Sequence, residues 1–231
     1  MPPTITGHRG AMGLEPENTL RSFRRAVAEG CDEIELDLRL SRDGHLVLLH
    51  DSDLARTGGT GARIADLTLA EIRALDPDPE TRVPTFAEAV DAIPVRVQAE
   101  IKDPAVAPAL AGLLDAAPAL AARTLVTSFD AAVLREVRRL RPDTPVGLIT
   151  HRAPATGAEL VDAARDAGAG TVLCGIEGLT RDHVDACHAA GLQATAWPVP
   201  DARTFAEVVA MGIDGVTTDN PHLVRAAPST A

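Results

Sequence analysis

Residues 33–51 read EIELDLRLSRDGHLVLLHD, and this stretch decides the architecture. From Ile34 to Leu40 aliphatic residues alternate with Glu35, Asp37 and Arg39, the period of two that marks a strand. Asp43-Gly44 follows as a tight-turn signal, and His45 to Leu49 returns as a second β-leaning run with no room for a helical crossover. A hairpin closed by that turn sets residue 36 roughly opposite residue 50. Outward from it, short apolar runs alternate with Ala-rich helical stretches to both ends of the chain, the sign of βα units around a parallel sheet. Eight such runs lie near Thr4 to Gly7, Glu33 to Leu38, Val95 to Ile101, Thr124 to Ser128, Pro145 to Ile149, Thr171 to Cys174, Gln193 to Trp197 and Gly215 to Thr218. Thr19 to Ala28, Ala131 to Leu140 and Arg203 to Met211 repeat apolar residues at three- and four-residue steps and are expected to be helices. The expected class is α/β, a (β/α)8 TIM barrel with a short insertion after strand 2; a doubly wound open sheet is the competing topology.

The 231 residues suit one barrel domain over 1–231, with 52–83 as a small insertion or lid. That segment is polar and rich in Gly, Pro and Asp, with one helical pattern around Leu69 to Leu75. Hydrophobic residues make up 45% and charged residues 24%, so the chain reads as a compact globule rather than a disordered one. With no Tyr, one Trp and four Phe, aliphatic side chains must fill the interior, and Trp197 stands out. The formal charge of -11 argues against nucleic acid as a partner, because phosphate backbones are held by Lys and Arg. Cys31, Cys174 and Cys187 show no CxxC spacing and are expected to be reduced, structural thiols. The N-terminus lacks a signal-peptide pattern, and no run approaches the ~18 apolar residues of a membrane span. A cytoplasmic protein without stable membrane insertion is therefore expected.

In such a barrel, functional groups collect at the carboxyl ends of the strands. His8-Arg9-Gly10 follows the first run. Glu35 and Asp37 point to one face of the second, where two carboxylates repel unless a cation or a proton separates them. The hairpin brings His50 beside that pair, and the third run ends in Glu100-Ile101-Lys102. Each signal has an ordinary alternative: a plain loop for His-Arg-Gly, an exposed strand face for Glu35 and Asp37, a surface ion pair for Glu100 and Lys102. Their joint placement at predicted strand ends favours a site. Carboxylates without Cys or a His-rich helix favour a hard ion, Mg2+ or Ca2+, over zinc. Asn18, Asp51, Arg56 and Thr57 fall near the same end, where each is equally suited to capping a helix or closing a turn. His183 and His188, five apart on a predicted helix, are read as surface residues.

The chain resembles the glycerophosphodiester phosphodiesterase family. The resemblance is carried by His8-Arg9-Gly10, Glu17-Asn18-Thr19, Glu35-Leu36-Asp37, Asp43-Gly44 with His50-Asp51, Arg56-Thr57, Pro84-Thr85-Phe86 with Glu88, Glu100-Ile101-Lys102, Ser128-Phe129 and Gly215-Val216-Thr217-Thr218-Asp219. These run in family order from residue 8 to residue 219. The resemblance implies a barrel of the phospholipase C-like phosphodiesterase type. It also implies a divalent cation on Glu35, Asp37 and Glu100, His8 and His50 as acid and base, and Arg9 and Lys102 on the phosphate. Trp197 would line the pocket for the glycerol or the leaving alcohol. Two features depart from the family pattern. Trp197 is followed by Pro198-Val199-Pro200, where relatives tend to carry Thr and a later Asn, and the stretch before Pro84 is short and lacks an aromatic pair.

A small-molecule glycerophosphodiester is the expected substrate, with glycerol 3-phosphate and an alcohol as products. The substrate carries a hydroxyl one carbon from the esterified oxygen, so attack within the substrate through a cyclic phosphate is expected. The rivals are a phospholipase-type phosphodiesterase acting on lysolipids and a catalytically silent ligand-binding barrel. No G-x-S-x-G, P-loop or G-x-G-x-x-G supports a serine hydrolase or a nucleotide-binding protein.

Overall fold

The computed structural model describes residues 2–225. Its strands are β1 (Thr4–Gly7), β2 (Glu33–Leu40), β3 (Leu46–Leu48), β4 (Arg96–Ile101), β5 (Thr124–Ser128), β6 (Val146–Thr150), β7 (Thr171–Gly175), β8 (Gln193–Trp197) and β9 (Gly215–Thr218). The helices are α1 (Leu20–Ala28), α2 (Leu69–Leu75), α3 (Phe86–Ala92), α4 (Val106–Ala116), α5 (Pro118–Ala121), α6 (Ala131–Leu140), α7 (Gly157–Ala167), α8 (Arg181–Ala189), α9 (Ala202–Ala210) and α10 (Pro221–Arg225). Parallel pairing runs β1-β9-β8-β7-β6-β5-β4-β2, and β1 closes onto β2 through Thr6 opposite Glu33 and Gly7 opposite Ile34. The result is a (β/α)8 barrel. An open doubly wound sheet is excluded by that closing pair. No helix among the described residues is long and apolar enough to cross a membrane.

Period-two patterning divides each strand between two environments. On β2, Ile34, Leu36 and Leu38 are fully buried in the layer that also holds Phe23 of α1 and Phe86 of α3. Glu33, Glu35 and Asp37 take the opposite, inner face. At the amino-terminal end Glu33 Oε2 accepts from Gln98 Nε2 at 2.7 Å and from the Thr6 hydroxyl at 3.1 Å, which ties three strands together across the barrel floor. At the carboxyl end the next inner positions, Glu35 and Asp37, open onto the site described below.

The hairpin forms in the expected register: Leu38 opposes Leu48 and Leu40 opposes Leu46. Gly44 adopts φ 83° in the turn, a conformation that side-chain-bearing residues rarely take. Residues 52–83 then leave the barrel. A 3-10 turn at Ile64–Asp66 and α2 fold back so that Ile64, Ile72 and Leu54 pack with Val47 and Leu49 in a second apolar cluster.

The segment is rejoined to the barrel at α3. Thr85 and Glu88 form a capping box there, and the Glu88 carboxylate also receives Arg73 at 2.8 Å and Arg82 at 3.0 Å. Burial pushes the Glu88 carboxyl up, but the Thr85 amide and hydroxyl and the two guanidinium groups outweigh it and hold it at about 2, below the ordinary 4.5. A depressed value of this kind contributes stability that is complete above pH 4.5 and is lost as pH falls toward 2. Glu88→Gln is expected to cost about 1–2 kcal/mol at pH 7, discounted for partial exposure. Urea unfolding should show the gap from wild type shrinking between pH 5 and about pH 3. A gap independent of pH would refute the assignment.

His183 corrects the sequence reading: it is buried, 5% exposed, with its ring nitrogens on Thr180 Oγ1 at 2.7 Å and the Pro154 carbonyl at 3.0 Å. The reason is the close approach of α7 and α8. A Cβ at Gly157 would meet the His183 backbone, so the neighbouring helix covers what an isolated helix would expose. His188 is exposed and pairs with Asp214 at 2.9 Å. Cys31, Cys174 and Cys187 are all buried.

Candidate active site

The loop after β1 turns sharply. Arg9 and Gly10 take φ 48° and 87°, and a Cβ at Gly10 would collide with Ser22, so only glycine lets α1 approach. That turn sets His8 over the barrel mouth. Its Nδ1 lies 2.6 Å from Asp219 Oδ1, beyond β9, and its Nε2 lies 3.9 Å from Glu35 Oε2. Burial disfavours the imidazolium, but Asp219 and Glu35 outweigh it and raise the His8 pKa.

Asp37 and Glu100 are register neighbours across β2 and β4, and Glu35 lies one inner position below Asp37. One carboxylate oxygen of each of the three falls within 4.8 Å of the others, and the residues are 4%, 0% and 6% exposed. Like charges so close cannot all persist alone in a buried site. Burial and then the Asp37 charge push Glu35 up to about 8. Asp37 goes the other way: burial opposes its charge, but Lys102, Arg9 and the Asn18 amide hold it below the ordinary range. Glu35 Oε1 and Asp37 Oδ1 are buried without a hydrogen bond among the described residues; Asp37 Oδ1 has an ion pair with Lys102 Nζ at 3.3 Å. Hard oxygen donors with unused lone pairs, converging this tightly, fit a divalent cation of the Mg2+ or Ca2+ type.

Arg9 and Lys102, expected on the phosphate, are held against this carboxylate group. Lys102 Nζ lies 2.6 Å from Glu100 Oε1, and Arg9 Nε lies 3.2 Å from Asp37 Oδ2. Asn18 caps no helix, a task taken by Thr19; its amide donates to Asp37 Oδ2 at 2.7 Å and its carbonyl accepts from Asp37 N at 3.2 Å.

His50 arrives from the other side, past the end of β3. Its Nδ1 lies 2.8 Å from Asp51 Oδ1 and its side chain is 34% exposed. Burial, together with the positive charges of Lys102 and Arg9, lowers its pKa more than Asp51 and Asp37 raise it, so the two imidazoles shift in opposite directions. Each histidine is braced at Nδ1 by an aspartate, which leaves Nε2 as the ring atom available to a ligand.

His8, Arg9, His50, Asp51, Glu100 and Lys102 line a cleft of about 730 Å³. Trp197 forms its opposite wall, with the indole N–H shared between the carbonyls of Thr150 and Leu173 at 3.1 Å each. Phe129 meets Trp197 edge-on at 5.6 Å, and His151 stacks on Phe129 at 4.2 Å, extending an aromatic shelf. Sequence reasoning does not single out Asp219 or His151 as a site residue. His151 follows an apolar run, the same signal that marks His8; Asp219 carries no local signal of its role, since its partner is 211 residues away.

Residues 8–223 match the model of the glycerophosphoryl diester phosphodiesterase family. The chain is 30% identical over 232 residues to the glycerophosphodiester phosphodiesterase of Caldanaerobacter subterraneus subsp. tengcongensis, covering 94% of each protein. It is similar in structure to a glycerophosphodiester phosphodiesterase from Thermotoga maritima, with a TM-score of 0.82, 25% identity and coverage of 96% and 97%. An Oleispira antarctica phosphodiesterase, solved in complex with the product sn-glycerol-3-phosphate, superposes with a TM-score of 0.84 at 24% identity, covering 97% and 96%.

Proposed function

Because the chain belongs to the glycerophosphoryl diester phosphodiesterase family, and so hydrolyses glycerophosphodiesters to glycerol 3-phosphate, we propose that His8 and His50 exchange the protons of that reaction beside a divalent cation held by Glu35, Asp37 and Glu100. The observation that carries this reading is the convergence at one barrel end of three buried carboxylates, within 4.8 Å, and two aspartate-braced imidazoles. When bound, the cation would neutralise the carboxylates and supply positive charge to a non-bridging phosphate oxygen and the attacking hydroxyl.

Neutralised carboxylates would release Arg9 and Lys102 from part of their present pairing, so that both guanidinium and ammonium groups face the phosphate. One imidazole Nε2 takes the proton of the substrate hydroxyl next to the ester. That oxygen bonds to phosphorus, the bond to the alcohol oxygen breaks, and the other imidazole protonates the departing alcohol. A five-membered cyclic phosphate is left. Water then opens the ring with the two roles reversed, giving glycerol 3-phosphate. Trp197 walls the pocket that receives the glycerol or the alcohol.

The test is release of glycerol 3-phosphate from a panel of glycerophosphodiesters. His8→Ala and His50→Ala are each expected to lower kcat by about two orders of magnitude or more, with thermal unfolding little changed. Near-normal turnover by either variant would remove that histidine from its role.

A further inference from the structure

Glu17 and Arg56 take no part in the chemistry above, yet they join the two halves of the site. His8 needs little support, because β1 and β9 carry it and its partner Asp219. His50 lies beyond the last ladder residue of β3. Its main chain is held by Leu49 N donating to the Asp37 carbonyl at 3.1 Å and by the Arg39 guanidinium, which donates to the carbonyls of Leu49 at 3.1 Å and His50 at 2.6 Å. These bonds leave the imidazole free to rotate. Its orientation depends on Asp51, itself a loop residue and 32% exposed.

Asp51 is fixed in turn. Its Oδ2 accepts from Arg56 Nε at 2.7 Å, and Arg56 Nη1 and Nη2 form a two-pronged contact with Glu17 at 2.6 and 2.7 Å. Glu17 is the rigid end of this chain. It is 10% exposed, takes Arg9 Nη1 at 2.9 Å, and precedes Asn18, whose amide is locked onto Asp37. We propose that Arg56 is a positioning residue that holds the His50 imidazole in register with the barrel by clamping Asp51 to Glu17. The inference rests on the hydrolase reading above, in which His50 moves a proton.

Two other roles for Arg56 fit less well. An isolated surface pair would do little at 49% exposure, but here one planar fork spans two carboxylates, which a single point charge cannot do. As a phosphate ligand it is poorly placed, since each of its three nitrogens already faces a carboxylate oxygen.

The experiment is steady-state kinetics of Arg56→Ala and Arg56→Lys with glycerophosphocholine and glycerophosphoethanolamine, beside Arg42→Ala, whose guanidinium pairs with exposed Glu71 on the same excursion. Arg56→Ala is expected to lose roughly 10- to 100-fold in kcat with KM within about threefold, because misorientation of a proton-transfer group falls on the chemical step. Arg56→Lys should recover only a small part, and millimolar guanidinium should restore Arg56→Ala but not His50→Ala. Arg42→Ala should match wild type, and all variants should unfold near the wild-type temperature. Turnover by Arg56→Ala within about twofold of wild type, a loss confined to KM, or a loss that guanidinium does not relieve would overturn the proposal. Wild-type protein inert toward every diester would instead overturn the hydrolase reading, a separate result.

Discussion

Excess chelator is expected to abolish turnover, and Mg2+ or Ca2+ is expected to restore it. Glu35, Asp37 and Glu100 are buried with ligand oxygens within 4.8 Å, and Glu35 is pushed up to about 8 by burial and by its neighbour. These carboxylates repel one another unless positive charge offsets them; a bound cation would supply that charge and leave Lys102 and Arg9, both paired with Asp37, freer to meet a phosphate. Metal removal should therefore disable binding and chemistry together. A second readout is independent of activity. A cation at a hundred times its dissociation constant stabilises the folded state by about 2.7 kcal/mol, and for a chain of this size Tm should rise roughly 5–10 °C over the chelated protein. Full activity in excess chelator, or a Tm indifferent to both ions, would remove the cation from the site.

The second large effect concerns the nucleophile. A diester lacking the hydroxyl next to the ester is expected to bind but to react on the order of a thousandfold more slowly, because an internal nucleophile carries a far higher effective concentration than any external one. The defect should fall on kcat. If external water attacks phosphorus directly, the missing hydroxyl contributes only to binding, and kcat should be nearly unchanged. Phosphorus NMR during turnover offers a direct check, since the internal route passes through a five-membered cyclic phosphate. Equal kcat values for the two substrates would rule that route out.

Much of this site is legible in the amino-acid sequence, and the legible parts share a cause. Glu35, Asp37 and Glu100 each break an otherwise apolar period-two run, and a strand has only two faces, so each carboxylate takes the face opposite its aliphatic neighbours. The Asp43-Gly44 turn fixes the register, and residue 50 comes alongside: Leu38 pairs with Leu48, and Leu49 N reaches the Asp37 carbonyl. The Leu69–Leu75 and Ala131–Leu140 helices begin and end where their apolar periodicity does.

The illegible parts depend on contacts between segments far apart in sequence. Asp219 braces His8, Arg56 reaches Glu17 across 39 residues, and His151 meets Phe129 from a neighbouring strand end. His183 reads as a surface residue in the sequence because a helical wheel shows which face a residue takes but not which neighbouring helix covers that face. By itself the sequence determined the alternation that makes a barrel, the shared face of Glu35 and Asp37 and the hairpin that delivers His50, because these follow from backbone periodicity and turn chemistry within a few residues. Only the tertiary structure decided which aspartate braces each histidine, that Arg9 and Lys102 rest on carboxylates, and that Glu17 and Arg56 tie the excursion to the barrel. Closing the sheet brings strand ends together, and the electrostatics of a buried cluster belong to the assembled set of charges rather than to any one segment.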